Sequence, residues 1–359
     1  MADVQPFRAV RYSGAAGSLA DLVAPPYDAV SPEERERLFG RSPFNVVRLI
    51  LPESAAAASR LYRDWLSDGI LVQEQDPSPW LLVDRYVGPD GVERERRGVL
   101  VSLAAVPYEK GQVLPHERTY PRVRDERLEL LRATRVQPEP ILVLVERGLD
   151  LEVAGGDPDL QTNGSRLWRL PTFDVATVTG SELLIADGHH RYESAVQLGP
   201  DVGGGSRIMA LLVATDDPGL HVFPTHRVFS RRPDLAALDE AEPFGSLDCA
   251  LGQLEAEPRD QSAAVVYRPG AASLLRGRKG ELDVELVDRH GLEGISYTAN
   301  AADATATVDR GDADVAFLLR SPRVEDVFAV ARSGRRMPQK STYFFPKPLS
   351  GLLFHPVDA

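Results

Sequence analysis

The chain has 359 residues, and at roughly 150 residues per domain that length suggests two or three domains with real cores. Lys and Arg number 41 against 53 Asp and Glu, and the formal net charge of −12 argues against a protein held to DNA by phosphate neutralisation. The single cysteine, Cys249, excludes a disulfide framework within the chain and fits a reducing cytoplasm. Apolar runs such as 208–214 fall far short of the roughly 18 residues a membrane span needs, and no signal peptide is expected at the N-terminus.

Residues 1–98 read as one unit. Pro25 and Pro26 stiffen the chain before Tyr27 and Asp28. Ser31 reads as a helix N-cap, with Pro32 at the first helical position and Glu33 and Glu34 in the first turn. A second helix is predicted over 55–68, with Leu61, Trp65 and Leu66 on its apolar side. Strands are predicted over 80–86 and 98–106, around a turn at 88–91. Residues 99–230 form a middle unit, with predicted strands at 141–145, 183–186 and 207–215. Residues 231–359 form a C-terminal unit that enters through a linker at 231–234. A hairpin around Lys279 and Gly280, a strand at 315–319, a helix at 324–333 and a strand at 341–345 are predicted within it. Cys249 reads as a small buried apolar residue.

Five of the seven histidines fall between His116 and His226. The sharpest segment is Ala186-Asp187-Gly188-His189-His190-Arg191. A strand ends at Ala186, and Tyr192, Ala195 and Leu198 follow with helical spacing, so Asp187 and Gly188 form a strand-to-helix turn. Gly188 allows close backbone approach to a ligand, and the helix start offers free N–H groups and positive dipole. Arg191 adds a fork suited to phosphate or carboxylate, and His189 and His190 add donors, so the turn reads as an anion site. The competing reading is that Asp187 caps a helix and the histidines pack. Glu117, in the segment 114–119, suits a general base if its surroundings raise its pKa; otherwise it belongs to a solvated loop. Thr225, His226 and Arg227 suit either anion binding or a surface loop. Lys340, Ser341 and Thr342 suit phosphate or carboxylate, without the glycine-rich loop of a P-loop. A zinc site would have to draw on His116, His189, His190 and Asp187.

Five ordered motifs, PPYD at 25–28, HERT at 116–119, ADGHHR at 186–191, PTHR at 224–227 and KSTYFFPKP at 340–348, resemble the family catalogued as domain of unknown function 1015 over essentially the whole chain. From about residue 99 the chain is also similar, more distantly, to free-serine kinases of the ParB/sulfiredoxin superfamily. Pro115-His116-Glu117 matches their proline-histidine-glutamate, whose glutamate is the catalytic base. Residues 187–191 match their phosphate-holding turn, and 314–342 resemble their C-terminal strand, helix and lysine-threonine segment. Sulfiredoxins carry a catalytic cysteine where this chain has His189, and the glycine-glutamate-arginine-arginine turn of ParB proteins is met here only by Gly188 and Arg191.

The resemblance implies an α/β or α+β fold, with a ParB/sulfiredoxin-like core flanked by an N-terminal unit and a C-terminal α+β unit. It implies a cytoplasmic kinase that uses ADP or ATP, with CTP also considered, together with Mg²⁺, on a small hydroxylated metabolite such as serine. Glu117, with His116 beside it, would take the hydroxyl proton. Asp187, Gly188, His189, His190 and Arg191 would hold the phosphates, with Asp187 capping the turn or meeting Mg²⁺ through water. Thr225, His226, Arg227, Lys340, Ser341 and Thr342 would bind the substrate. The expected partners are small molecules, with neither membrane nor nucleic acid. The alternative is a ParB-like nucleotide switch without phosphotransfer.

Overall fold

The computed structural model describes residues 2–146, 148–149, 151–152, 155–175, 178, 180–203, 205–230, 238 and 240–357; the linker expected at 231–234 lies outside them. The largest sheet is nine-stranded and mixed. Its order is Val113–Pro115, Leu183–Asp187, Ile141–Val145, Arg207–Ala214, Glu93–Ala104, Trp80–Val87, Ser165–Arg169 and Leu160–Gln161, with Val4–Gln5 beside Glu93–Ala104. A six-stranded antiparallel sheet runs Glu242–Phe244, Ala271–Lys279, Gln261–Arg268, Val315–Leu318, His226–Phe229 and Ile295–Thr298. The fold is mixed α/β, and among the described residues no helix is long and apolar enough to cross a membrane.

The strand Ile141–Val145 shows why the large sheet is central. All five of its side chains are buried, so both faces are covered. Ile141, Val143 and Val145 join one core with Leu128 and Leu131 of helix Pro121–Thr134 and Tyr192, Ala195 and Leu198 of helix His189–Leu198. Leu142 and Leu144 join the opposite core with Val327, Phe328 and Ala331 of helix Val324–Arg332. Each buried Val, Leu, Ile or Phe among them contributes about 1.5–3 kcal/mol of burial.

The N-terminal helices form as their caps direct. Ser31 Oγ accepts from the Glu34 N–H at 3.2 Å at the start of Pro32–Arg41, and Ser54 Oγ accepts from Ala57 at 3.2 Å at the start of Ala55–Ser67. Trp65 is buried on the apolar face, while Leu61 and Leu66 are half-buried.

Several expectations change in three dimensions. The strand expected from residue 98 begins at Glu93 and runs through the boundary drawn there, paired over 93–100 with Trp80–Val87. Gly98 suits that position because an added Cβ would meet the Leu212 carbonyl oxygen of the neighbouring strand at 2.7 Å. The apolar side chains of 324–353 do not stay with the six-stranded sheet but pack on the central one. The hairpin expected around Lys279 turns instead at Gly270, between Gln261–Arg268 and Ala271–Lys279, because 283–288 is helical. Cys249 is exposed rather than buried, in the first turn of helix Leu247–Ala256.

Candidate functional site

Strands Val113–Pro115 and Leu183–Asp187 pair in parallel, with Ile185 opposite Pro115. Two segments some 70 residues apart therefore leave the sheet side by side, one carrying His116 and Glu117 and the other Gly188 to Arg191. The turn needs its glycine. Gly188 has φ +96°, and an added Cβ would lie 2.6 Å from Ile141 Cγ2. Helix His189–Leu198 begins there with no side-chain cap and no acidic residue in its first turn. Its first N–H groups have no intrahelical partner, and that end carries the positive dipole.

This turn forms one wall of a cavity of about 850 Å³. Glu117, Asp187, Gly188, His189, His190, Arg191, Thr225, Lys340 and Thr342 all line it. So do Tyr27 and Asp28 from the N-terminal segment, and Tyr297 to Asn300 from the six-stranded sheet and the loop after it.

Asp187 does not cap the helix. Its carboxylate takes Arg191 Nη2 at 2.7 Å and Lys347 Nζ at 2.9 Å, and Lys347 also reaches Asp28 Oδ2 at 2.6 Å. Burial works to raise the Asp187 carboxyl, but Lys347 and Arg191 hold it well below the usual carboxylate range. Burial likewise works to lower Lys347, and Asp187 and Asp28 hold it above the usual lysine value. Arg191, expected to face phosphate with its fork, turns that fork inward. Its Nη1 donates to the Pro140 carbonyl at 2.6 Å while Nη2 holds Asp187. A second buried pair, Arg96 with Asp84, steadies the far end of this network, since Arg96 Nη1 donates to the Pro346 carbonyl at 2.6 Å.

Across the cavity the charges are arranged differently. Burial pushes the Glu117 carboxyl up to about 7, against the Lys340 N–H that donates to its Oε1 at 3.3 Å. The Lys340 ammonium has no ion-pair partner among the described residues, and its backbone sits at φ +55°. Arg227 supports this bend from below by donating Nη1 to the Lys340 carbonyl at 2.9 Å and the Thr225 carbonyl at 2.6 Å.

His116 lies behind the wall, with no exposed surface. Its Nδ1 donates to the Ile185 carbonyl at 2.7 Å, and burial lowers its pKa to about 4, so the ring is neutral. That tautomer leaves Nε2 as an acceptor, which takes the Thr342 hydroxyl proton at 2.9 Å. Thr342 therefore offers the cavity only lone pairs. It can accept from a ligand's hydroxyl or ammonium, but it has no proton for the carboxylate or phosphate it was expected to bind. The His116 N–H donates to His189 Nε2 at 3.3 Å, which leaves the ring proton of neutral His189 on Nδ1.

Three expected substrate residues are turned away from the cavity. Ser341 is buried and donates to the Pro338 carbonyl at 2.5 Å. His226 and Arg227 are not in a surface loop but in the buried strand His226–Phe229, where His226 Nδ1 accepts from the Leu319 N–H at 3.1 Å. Thr225 remains on the cavity wall, its buried hydroxyl without a hydrogen-bond partner among the described residues. Among the described residues no group of three or more His, Cys, Asp or Glu side chains is placed to hold a metal ion. Sequence reasoning missed Asp28 and Lys347 as members of the site; their signal was their place inside the PPYD and KSTYFFPKP motifs. It also missed Tyr297, which no motif marks.

The fold and this cavity define a mixed α/β protein with a polar cleft of mixed charge at the edge of its central sheet. The chain belongs to the family described as Protein of unknown function (DUF1015), whose sequence profile matches residues 4–288. Among solved structures it is similar to a conserved hypothetical protein from Pyrococcus furiosus at 16% identity and TM-score 0.41, covering 71% of this chain and 93% of that one. It is similar to a free serine kinase in complex with AMP at 16% identity and TM-score 0.44, covering 73% and 91%. It is also similar to SbnI with a C-terminal truncation from Staphylococcus aureus at 15% identity and TM-score 0.40, covering 70% and 85%. No curated protein matches the chain.

Proposed function

We propose that the protein is a nucleotide-dependent kinase of a small hydroxylated metabolite, with L-serine the first acceptor to test. One observation carries this reading. A glutamate whose pKa is raised to about 7 shares a cavity with an uncapped helix N-terminus entered through a left-handed glycine. A base poised near the working pH suits proton removal from an alcohol, and free N–H groups suit a phosphate chain. The choice of serine rests on the motif resemblance of residues 115–117, 187–191 and 314–342.

In this mechanism the acceptor hydroxyl lies against Glu117. Its oxygen bonds to the terminal phosphorus of the donor, the bond from that phosphorus to the bridging oxygen breaks, and the shortened nucleotide leaves with the electron pair. The hydroxyl proton passes to Glu117. The N–H groups of His189 and His190 and the Lys340 ammonium stabilise the charge on the transferring group. Asp187, Arg191 and Lys347 hold the turn in place, because their charges already satisfy one another. Thr342 accepts from a second donor group of the substrate. Mg²⁺ would arrive with the donor phosphates and neutralise part of their charge. Both Asp187 oxygens are in ion pairs, so Asp187 would meet the metal's water shell rather than the ion itself. We propose the cytoplasm as its setting, given one unpaired cysteine in the chain.

The test is transfer of labelled phosphate from ADP, ATP or CTP to L-serine and to a panel of hydroxylated metabolites. Labelled product dependent on Glu117 supports the kinase. A protein that binds nucleotide yet labels nothing in the panel is a switch, and the kinase reading falls.

A further inference from the structure

Among the described residues, two of the few large hydrophobic side chains left exposed line the cavity. Tyr120 is 56% exposed and Tyr297 is 38% exposed, and both line it. They come from distant parts of the chain. Tyr120 precedes helix Pro121–Thr134, and Tyr297 belongs to the strand Ile295–Thr298 of the six-stranded sheet. Exposing aromatic rings costs hydrophobic free energy, so two rings left open on the lining of one polar cleft need a reason.

Each ring has a neighbour beside it. The Tyr120 N–H donates to His190 Nε2 at 2.9 Å, and the two rings lie nearly parallel, 14° apart with centroids at 6.5 Å. Tyr297 is the register partner of Arg227, whose guanidinium carbon sits 5.3 Å from its ring centroid. Burial raises the Tyr297 phenol; the Arg227 guanidinium pulls it back, and the charges of Asp288, Tyr120 and Glu117 add to the rise. His190, against which Tyr120 lies, is in the first turn of helix His189–Leu198.

We propose that Tyr120 and Tyr297 form the seat for the planar base of a bound nucleotide, whose phosphates run to the first turn of helix His189–Leu198. The proposal rests on the nucleotide reading above and deepens it. Tyrosine supplies a rigid π-face at low entropic cost, and every nucleobase has a π-face to lay against it. A base stacked beside His190 has its phosphates within one residue of the free N–H groups. Asn300, also on this wall, is engaged: its Nδ2 donates to the Pro89 carbonyl, and its Oδ1 caps helix Ala301–Asp309. A seat made of two tyrosine rings reads ring planarity more than base identity.

The experiment is titration calorimetry of the full chain with ADP, with CDP and, separately, with inorganic pyrophosphate. Tyr120→Leu and Tyr297→Leu keep bulk but remove the π-face. Each should weaken ADP binding by roughly fivefold or more, and the double variant by roughly a hundredfold, while pyrophosphate affinity moves by less than about twofold. Tyr→Phe at either position should restore ADP affinity, and wild-type ADP and CDP should agree within about tenfold. Thermal melting confirms that the variants are folded, and the Phe variants keep the comparison valid if a Leu variant is not. The seat is overturned if the double variant binds ADP as tightly as wild type, if ADP and pyrophosphate weaken together, or if wild type does not bind ADP. Transfer of labelled phosphate separates this from the reading it rests on. Wild-type transfer with unchanged ADP affinity in the variants removes the seat and leaves the kinase. Weakened ADP binding in a protein that labels no acceptor keeps the seat and removes the kinase.

Discussion

The two walls of the cavity handle charge in opposite ways. In the wall built from 187–191, the ionised groups face one another: Asp187 is held between Arg191 and Lys347, and Lys347 between Asp187 and Asp28. In the wall built from 116–117 and 340–342, Glu117 accepts a backbone N–H and is pushed up to about 7 by burial, and neither it nor Lys340 has an ion-pair partner among the described residues. The difference teaches that charged residues in adjacent motifs divide into those that hold a turn and those left free for chemistry. Closed ion pairs stiffen; a half-buried acid outside any ion pair is poised to exchange a proton.

Glu117→Gln is the sharpest way to test that division. It keeps size and removes the basic lone pair, so labelled-phosphate turnover should fall by roughly 10²- to 10⁴-fold with nucleotide affinity nearly unchanged. Turnover that survives the change would put Glu117 with the structural wall.

Arg191→Ala attacks the closed wall. It leaves Asp187 with one partner in a buried site and should cost about 3–5 kcal/mol in denaturant unfolding of the unliganded protein. An unchanged unfolding midpoint together with lost nucleotide affinity would break the comparison and return Arg191 to phosphate binding.

The pH dependence separates the walls without removing an atom from wild type. Only ionised Glu117 accepts a proton, so kcat/KM should rise as pH rises through about 7, and that limb should vanish in Glu117→Gln. The stability consequence has the opposite sense. The folded Glu117 pKa lies above its ordinary value of 4.5, so the folded state binds the extra proton and loses stability as pH rises from about 4.5 through about 7. Glu117→Gln should then melt higher than wild type at pH 8, by on the order of 1–3 kcal/mol, with the gap closing near pH 4.5. A gap that is constant with pH would mean that Glu117 titrates normally.

The smallest effect distinguishes two neighbours in one motif. Ser341→Ala removes the bond to the Pro338 carbonyl and should cost about 1 kcal/mol of stability without changing acceptor KM. Thr342→Val should instead raise acceptor KM, because it removes the lone pairs that His116 orients toward the cavity. Equal effects on KM from both would show that the segment acts as a unit.

Much of the local structure was legible from residue order. Ser31 and Pro32 start a helix where they should, the 141–145 run is a buried strand, and Gly188 turns the chain from strand into helix. Caps, periodicity and left-handed glycine act within a few residues, so a sequence carries them whole. The motifs also named most of the cavity wall, since Glu117, Gly188, His190, Thr225 and Lys340 line it.

Only the tertiary structure decided which of those residues are free. Lys347 and Asp28 are 319 positions apart, and no local pattern announces that they meet. The return of helix Val324–Arg332 to the central sheet, the inward turn of Arg191, Ser341 and His226, and the exposure of Tyr297 all depend on which surfaces the folded chain brings within reach. Charge pairing and burial act through space over a few ångströms, whereas the sequence orders residues along the chain, and that is why it names the members of the site but not their roles.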